Sequence, residues 1–435
     1  MPPMPPTAAP TTAAPAAAAP LQVSRRVRDL KPSVTVAFMN RAKSMKAAGK
    51  DVLSFAAGEP DFDTPDQVKK SAERALEAGM TKYMPTLGDP ETRKAIADKL
   101  VRENGIPTTP DHIAISAGGK HALYVAAHCL LDPPAPGEAP QDVLLPVPAW
   151  VSYAPIVELA GGRIVEIETE ATSDFKMTPD QLRRAITPRS RLLIINSPSN
   201  PCGTMYSEAE LRAFAAVVEE AARTVAPALV VISDELYEKI VYGGIPHFSI
   251  GSVPAIAERT LTINGLSKAY AMTGWRIGYT AASGRFGRQV IDAMGTLQGQ
   301  MTTNITSFTY PAIRTALTDT APDVERMRTA FAARAKLVHA LVSALPGVVC
   351  PRPTGAFYLF PDVSAHFGKT TPAGTRIDSS MALCNALLEE SLVAFVPGED
   401  FGGCGDRCVR ISFACSEAQI TAGIGRFAKF LADLR

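Results

Sequence analysis

Two basic side chains in one short segment are of the types that hold an aldehyde and a phosphate. Residues 267–279 read SKAYAMTGWRIGY, so Lys268 is followed eight residues later by Arg276. An amine condenses with an aldehyde to an imine, and the lysine amine becomes a nucleophile near neutral pH when burial and nearby cations lower its pKa. Arginine binds a phosphate dianion through two parallel hydrogen bonds. One small molecule, pyridoxal 5′-phosphate, carries both groups, so the segment favours this cofactor.

A Ser-Lys pair alone is common by chance, so the interpretation depends on the strands that precede the reactive residues. Asn200 lies in the turn of NSPSNPCGT (196–204), Asp234 lies at the end of an apolar run, and Lys268 follows another. Strands of this kind, separated by helices, predict a wound α/β sheet whose ligands bind at its carboxyl edge. We therefore expect these side chains to lie at that edge.

Asp234 admits two interpretations. A carboxylate at the sheet edge can pair with a pyridine nitrogen, keep it protonated and let the ring accept electrons. Alternatively, Asp234 and Glu235 cap a following helix, as acidic residues after a strand often do. The residues alone leave both open.

Motifs spread along the chain carry a resemblance to a known family. They are AGEPDFDTP (57–65), TKY (81–83), AGGKHAL (117–123), PAWVSY (148–153), NSPSNPCGT (196–204), SDELY (233–237), SKAYAMTGWRIGY (267–279) and VRISFA (409–414). In this order they are similar to those of the class I, fold-type I pyridoxal-phosphate aminotransferases, and most similar to the bacterial-type aspartate and prephenate aminotransferases of subgroup Iβ. The resemblance runs from about Val23 to the C-terminus.

The resemblance implies roles around the cofactor ring. Lys268 resembles the Schiff-base lysine and Asp234 the pyridinium partner. Asn200 and Tyr237 match the positions that hydrogen-bond the phenolic oxygen of the cofactor. Trp150 matches the aromatic residue that stacks on the ring. We expect Trp150 and Asn200 to contact the substrate as well.

Further matches concern the phosphate, the substrate and a second subunit. The implied phosphate ligands are Gly118, Gly119 and Lys120 at a helix N-terminus, with Ser267 and Arg276. Tyr83 resembles the tyrosine that reaches the phosphate of the neighbouring subunit. Arg410 resembles the arginine that binds the substrate α-carboxylate, beside Gly58. The resemblance therefore implies a homodimer with shared active sites.

The implied reaction is transamination of aspartate with 2-oxoglutarate by a ping-pong mechanism, with prephenate as a possible second substrate. A distal carboxylate needs a cation, yet QGQMTTNIT (298–306) has no arginine where animal-type aspartate enzymes place one. Lys120 and Thr35, with Ser33, are the candidates to replace it. Alternatively, Lys120 only adds charge near the phosphate.

Two further activities stay open at this point. One is an aminotransferase for aromatic amino acids or alanine, and the second is a pyridoxal-phosphate lyase of the same fold, since one fold supports several reactions. A transcriptional regulator, by contrast, would need a DNA-binding module ahead of the arm, which the uncharged first twenty residues do not provide.

Composition limits the binding partners, the cellular compartment and the metal sites that the chain is expected to have. A net charge of +1 without a basic stripe argues against nucleic acid as a partner, and no window has the apolar length of a membrane span. The seven cysteines lack regular spacing, which suits a reducing compartment. The histidines show no metal-ligand spacing, and the cysteines of GGCGDRC (402–408) suit a plain loop better than a metal or redox site. We expect a cytoplasmic enzyme without a metal.

The chain divides into four predicted segments. Residues 1–22 are a Pro/Ala-rich disordered tail, and residues 23–56 form an N-terminal arm and part of a small domain. Residues 57–319 form a large α/β domain, with a mixed, mostly parallel sheet and helices on both faces. Residues 320–435 form the rest of a small α+β domain. The first helix of the large domain is expected to start at Thr64 as N-cap, with Pro65 as its first residue.

Overall fold

The structure, a computed structural model, describes residues 21–30 and 34–435. Most of the predicted tail, and Ser33 of the predicted arm, therefore lie outside the described residues. Residues 21–30 contain one short helix, α1 (Arg25–Arg28). None of the described helices has the length and the apolar character needed to cross a bilayer.

The other α-helices and the strands follow in chain order. The α-helices are α2 (Val34–Ala47), α3 (Asp66–Glu77), α4 (Pro90–Lys99), α5 (Gly119–Leu130), α6 (Tyr153–Leu159), α7 (Pro179–Ala185), α8 (Glu208–Thr224), α9 (Gly284–Gly299), α10 (Tyr310–Asp319), α11 (Ala321–Ser343), α12 (Ser380–Ser391) and α13 (Glu417–Ala432). The strands are β1 (Leu53–Ser54), β2 (Ile113–Ser116), β3 (Asp142–Val147), β4 (Arg163–Glu168), β5 (Ser190–Asn196), β6 (Val230–Asp234), β7 (Thr260–Gly265), β8 (Gly278–Ala281), β9 (Tyr358–Leu359), β10 (Val393–Ala394), β11 (Val396–Pro397) and β12 (Val409–Ser412).

The large sheet has the strand order β2-β8-β7-β6-β5-β3-β4. Its neighbours pair in parallel from β4 to β7, whereas β8 is antiparallel to both β7 and β2. Successive side chains of a strand point to opposite faces. In β5, Leu192 and Ile194 accordingly pack with helices α5, α6 and α9, while Leu193 and Ile195 pack with α8. Both faces of the sheet are therefore covered, as expected for a wound α/β sheet.

A second core brings residues 34–55 and the C-terminal part of the chain together. Strand β12 pairs antiparallel with β11 and β9, and the short β1 pairs in parallel with β10. Phe38 of α2 and Phe55 after β1 share a buried cluster with side chains of α11, α12 and α13. The division into domains at residues 57 and 320 stays a prediction. It assumes that the segment before residue 57 packs with the C-terminal segment, and this cluster contains side chains of both.

Local signals placed some element ends better than others. Ser207 and Glu210 form a reciprocal capping box at the start of α8, and the Ser416 hydroxyl accepts from the amide of Gln419 in α13. The expected N-cap at Thr64 is wrong. Its hydroxyl donates instead to the carbonyl oxygen of Ala271, 2.7 Å away, so Pro65 takes the N-cap position and α3 begins one residue later.

Candidate active site

One cavity of about 270 Å³ opens at the carboxyl ends of β5, β6 and β7. The predicted site residues that line it are Thr35, Gly58, Gly119, Lys120, Trp150, Asn200, Asp234, Tyr237, Ser267, Lys268, Arg276 and Arg410. They come from segments far apart in the sequence, and the parallel strands bring them together at one edge of the sheet. Gly118 and Tyr83 are not among the lining residues.

Lys268 lies just after β7, and its amine donates a hydrogen bond to the carbonyl oxygen of Gly58. Burial lowers the pKa of Lys268 to about 8. Glu59 opposes this shift, while the guanidinium groups of Arg410 and Arg276 add to it. An amine of this kind is partly neutral near physiological pH and can act as a nucleophile and a base.

Asp234 is buried at the end of β6 and accepts two hydrogen bonds. The Tyr153 hydroxyl donates to Oδ2 at 2.7 Å, and the amide of Leu236 donates to Oδ1 at 3.2 Å. Burial raises the pKa of Asp234, and both hydrogen bonds oppose that rise. In the described part of the chain the next residues form turns, so the helix-cap interpretation of Asp234 is wrong. Sequence reasoning missed Tyr153, because a tyrosine in an apolar helix cannot be told from a core residue.

The opposite side of the cavity is formed by the sheet of β9, β11 and β12. Arg410 of β12 is buried and donates to Asn200 Oδ1 at 3.1 Å and to the carbonyl oxygen of Ala56 at 3.0 Å. Its Nε has no hydrogen-bond partner among the described residues. Arg410 therefore keeps hydrogen-bonding capacity for an anion.

A pair of tyrosines also lines the cavity. The Tyr237 hydroxyl lies 3.0 Å from that of Tyr358, a second cavity residue that sequence reasoning missed.

A second anion site lies where α5 begins. Gly118 is the N-cap residue of α5 with φ = +93°, and a Cβ atom on it would lie 2.4 Å from Arg276 Nη2. Glycine at this position thus lets the guanidinium reach the helix N-terminus. Arg276 itself has φ = +57°, a conformation that costs energy in a residue with a side chain and is often found at functional sites. The helix amides, Arg276 and Ser267 together suit a phosphate group.

Lys120 and Thr35 bring polar groups to the cavity for which the described residues provide no hydrogen-bond partner. The Lys120 ammonium lies 5.0 Å from the centre of the Trp150 ring, and no described carboxylate forms an ion pair with it. Burial and the charge of Arg276 lower the pKa of Lys120. The Thr35 hydroxyl is buried and has no hydrogen-bond partner among the described residues. Both groups are thus available to a polar ligand in the cavity.

Tyr83 lies at the surface, where 88% of it is exposed. It borders a shallow groove together with Thr302, Asn304 and Phe308. The structure therefore does not bring Tyr83 to the cavity of its own chain. A role in the cavity of a neighbouring subunit stays a prediction.

The cleft combines a buried amine, a buried carboxylate and two guanidinium groups, an arrangement suited to an enzyme that acts on small carboxylic acids. Comparison with known proteins identifies the family. The family model of aminotransferase class I and II matches residues 50–427, and the chain belongs to this family. It is similar to an aspartate/prephenate aminotransferase of Cereibacter sphaeroides, with 42% identity over 406 residues that cover 93% of this chain and 97% of the relative.

Solved structures agree with this assignment. An aspartate aminotransferase from Rhizobium meliloti superposes with a TM-score of 0.88 at 39% identity, covering 96% of this chain and 100% of that chain. The aspartate aminotransferase of Thermus thermophilus with maleate superposes with a TM-score of 0.84 at 40% identity, covering 94% and 100%. The predicted fold class and the prediction of an aminotransferase are thereby confirmed.

Proposed function

We propose that this aminotransferase binds pyridoxal 5′-phosphate at Lys268 and transfers the amino group of aspartate to 2-oxoglutarate. The observation that carries the proposal is the convergence of Lys268, Asp234 and Arg410 on one cavity. Enzymes of this family depend on pyridoxal 5′-phosphate. The residues present fit this cofactor, since the α5 N-terminus with Arg276 suits its phosphate and the buried Asp234 suits a protonated ring nitrogen.

Bound here, the cofactor supplies an aldehyde for the amino group and a ring that accepts the electron pair left when a Cα–H bond breaks. Lys268 Nζ takes the proton from the substrate Cα, because its pKa of about 8 lies close to operating pH. Arg410 binds the substrate α-carboxylate, and its bond to Asn200 fixes the guanidinium in place. The Asp234 carboxylate stabilises positive charge opposite it, and Tyr153 holds the carboxylate in position.

Aspartate is proposed from two observations. Relatives across most of the chain are aspartate or aspartate/prephenate aminotransferases. Lys120 and Thr35 offer a cation and a hydroxyl that no described side chain hydrogen-bonds, and a distal carboxylate would use both. We propose prephenate as a second substrate on the relatives' names alone. A homodimer with shared sites and a cytoplasmic location are further parts of this proposal, and they rest on the sequence.

Borohydride reduction tests the covalent attachment. The purified protein is expected to show a visible absorbance band, and reduction should fix the cofactor to the peptide that contains Lys268. A label on another lysine would contradict the assignment. Turnover of aspartate should stop when no oxo acid is supplied, whereas a lyase of the same fold continues without one. A panel of amino donors with 2-oxoglutarate, compared by kcat/KM, then ranks aspartate against aromatic amino acids and alanine.

A further inference from the structure

Tyr358 and Tyr237 form a pair of phenols in the wall of the cavity. Their hydroxyl oxygens lie 3.0 Å apart, and both residues are buried while lining the cavity. Among the described residues neither hydroxyl has another hydrogen-bond partner. Tyr237 follows β6, whereas Tyr358 belongs to β9, so the contact joins the large sheet to the sheet that carries Arg410.

The number of hydrogens on this pair limits what it can do. Each phenol carries one hydrogen, so the pair has two, and one of them lies between the oxygens. The second hydrogen is free for a ligand. Tyr358 either donates to Tyr237, which leaves the Tyr237 hydrogen for the ligand, or the reverse holds. The two arrangements have opposite consequences for whatever Tyr237 contacts.

The charges around the pair favour Tyr358 as the donor. The Arg410 guanidinium lies 4.8 Å from the centre of the Tyr358 ring, where a cation makes a phenol a stronger acid. Burial raises the pKa of Tyr358, but Arg410 opposes that rise, while the charge of Glu59 adds to it. Burial and the contact with Tyr358 raise the pKa of Tyr237 well above its usual range, and Asp234 adds to this while Arg410 opposes it. The more acidic phenol of a pair is the better donor.

We propose that Tyr358 is a positioning residue: its hydroxyl donates to Tyr237 and so directs the Tyr237 hydrogen toward the phenolic oxygen of the cofactor. The inference rests on the proposed function, since it assumes that Tyr237 faces that oxygen. A donor to this oxygen stabilises its negative charge and lowers the pKa of the linkage between Lys268 and the cofactor. Tyr358 would thus help to keep that linkage unprotonated and ready for substrate.

The surroundings of Tyr358 hold it in place. A Cβ atom on Gly58 would lie 3.0 Å from the Tyr358 hydroxyl, and one on Gly203 would lie 2.0 Å from the Tyr358 carbonyl oxygen. Tyr358 also pairs with Ser412 in β12, two residues from Arg410. A side chain enclosed by backbone on these sides keeps one orientation, which is what a positioning role requires.

Titration of the visible absorbance band in the cofactor-loaded protein tests the proposal. A hydrogen bond from Tyr237 to the charged oxygen is worth roughly one to two pKa units. Tyr358→Phe leaves the Tyr237 hydroxyl in place but no longer directs it, so the pKa read from the band is expected to rise by about half a unit or more. Tyr237→Phe should raise it at least as much, and the double variant no further than Tyr237→Phe alone. Tyr206→Phe is the matched control, because its buried hydroxyl contacts the amide of Met177 instead, and no shift is expected.

The sign of the shift decides between the two arrangements. If Tyr237 donates to Tyr358, removing the Tyr358 hydroxyl frees the Tyr237 hydrogen for the cofactor, and the pKa falls. A fall, or no change beside a clear rise in Tyr237→Phe, would overturn the proposal. Tyr358→Leu also lacks the hydroxyl and carries the same predicted sign should the phenylalanine variant not fold. Absence of the band from the unmodified protein would instead contradict the proposed function.

Discussion

At the scale of single residues, Asp234 lies in surroundings that disfavour its charge. Burial raises its pKa, and among the described residues the Tyr153 hydroxyl, the Leu236 amide and the charge of Lys268 counter this effect. A buried carboxylate without a facing cation is costly, whereas a protonated ring nitrogen in front of it would restore the balance. The site therefore suits a cationic heteroaromatic ring better than a neutral one.

Asp234→Ala is expected to bind the cofactor, because the phosphate ligands remain, but to lose transamination by several orders of magnitude. An unprotonated pyridine accepts electrons poorly, so the quantity to measure is the rate constant of the half-reaction with aspartate in single-turnover kinetics. Tyr153→Phe should lose less, since the carboxylate remains and only its orientation weakens. A loss below about tenfold in Asp234→Ala, roughly 1.4 kcal/mol in the barrier, would contradict the ion pair.

Lys120→Met is expected to separate dicarboxylic from neutral substrates. A charge-assisted contact is worth roughly 1.5 to 3 kcal/mol, so kcat/KM for aspartate should fall by about ten- to a hundredfold. An apolar amino donor should change little. Thr35→Val should act in the same direction but more weakly, because a neutral hydroxyl donates a weaker bond. Equal losses for both donors would assign Lys120 to the phosphate or to structure.

At the scale of elements, the turn after β6 is held by a buried ionic cluster whose members do not line the cavity. Asp234 and Tyr237 line the cavity, while Glu238 forms an ion pair with Lys99 at the end of α4. Asn104 donates to Glu238 at 2.7 Å. Burial alone would raise the pKa of Glu238, but Lys99 above all lowers it to about 2. The cluster thus holds in place the turn that contains the cavity residues Asp234 and Tyr237.

Lys99→Met is expected to destabilise the protein by about 3 to 5 kcal/mol, because the buried Glu238 charge loses its ion-pair partner. Thermal or urea unfolding measures the loss. Lys94→Met is the matched control on the same helix, since Lys94 forms an exposed pair with Asp98, and its melting temperature should hardly change. Adding Glu238→Leu to Lys99→Met should restore part of the stability. A Lys99→Met variant as stable as the control would mean that the ion pair does not anchor the turn.

The same pair predicts a pH dependence. The pKa of Glu238 is about 2 in the folded chain against a usual 4.5. Between these two pH values, the carboxyl group therefore binds a proton in the unfolded chain more often than in the folded chain. Its contribution to stability is therefore complete above about pH 4.5 and is lost as the pH falls toward 2. The difference in unfolding free energy between the wild type and Glu238→Gln should narrow across this window. A constant difference from pH 6 down to pH 3 would argue against a lowered pKa.

Several strands could be predicted from the sequence, and others could not. The apolar runs at 143–147, 192–196, 229–233 and 261–264 predict four strands, and β3, β5, β6 and β7 begin and end within two residues of them. Two of the differences have a clear physical reason. The apolar run GAFYLF (355–360) predicts a strand, but it forms a ladder only over Tyr358–Leu359, because Ala356 has φ = +55°. No strand is predicted at β4, because its RIVEIE sequence lacks a continuous apolar run and is mostly exposed or half-buried.

The location of several site residues could be predicted from the sequence. Lys268 and Asp234 follow apolar runs, Arg410 matches a family motif, and the cavity contains all three; their roles stay predictions. Tyr153 and Tyr358 could not be found in this way, because each acts through a partner more than 80 residues away in the sequence. Such contacts depend on packing between elements, which local patterns do not encode.

At the scale of the whole molecule, the proposed homodimer makes a specific claim about Tyr83. The side chain is largely exposed, and it does not line the cavity of its own chain. An exposed tyrosine beside a shallow groove suits contact with a second copy, since tyrosine is enriched in protein interfaces. If Tyr83 completes the cavity of the partner, each active site needs residues from both chains.

Hybrid dimers test this claim. Lys268→Ala and Tyr83→Ala chains are each expected to be inactive, yet their mixture should regain up to about one quarter of the wild-type activity per chain, because half of the dimers are hybrid and each contains one intact site. A mixture of Lys268→Ala and Asp234→Ala chains is the matched control. Both changes lie in the cavity of their own chain, so every site in that hybrid keeps one defect and no activity should return. Tagged subunits separate the hybrid from the parent dimers. A pure hybrid of the first pair that stays as inactive as the control would refute sharing through Tyr83, and the tyrosine would then act within its own chain or serve only the interface.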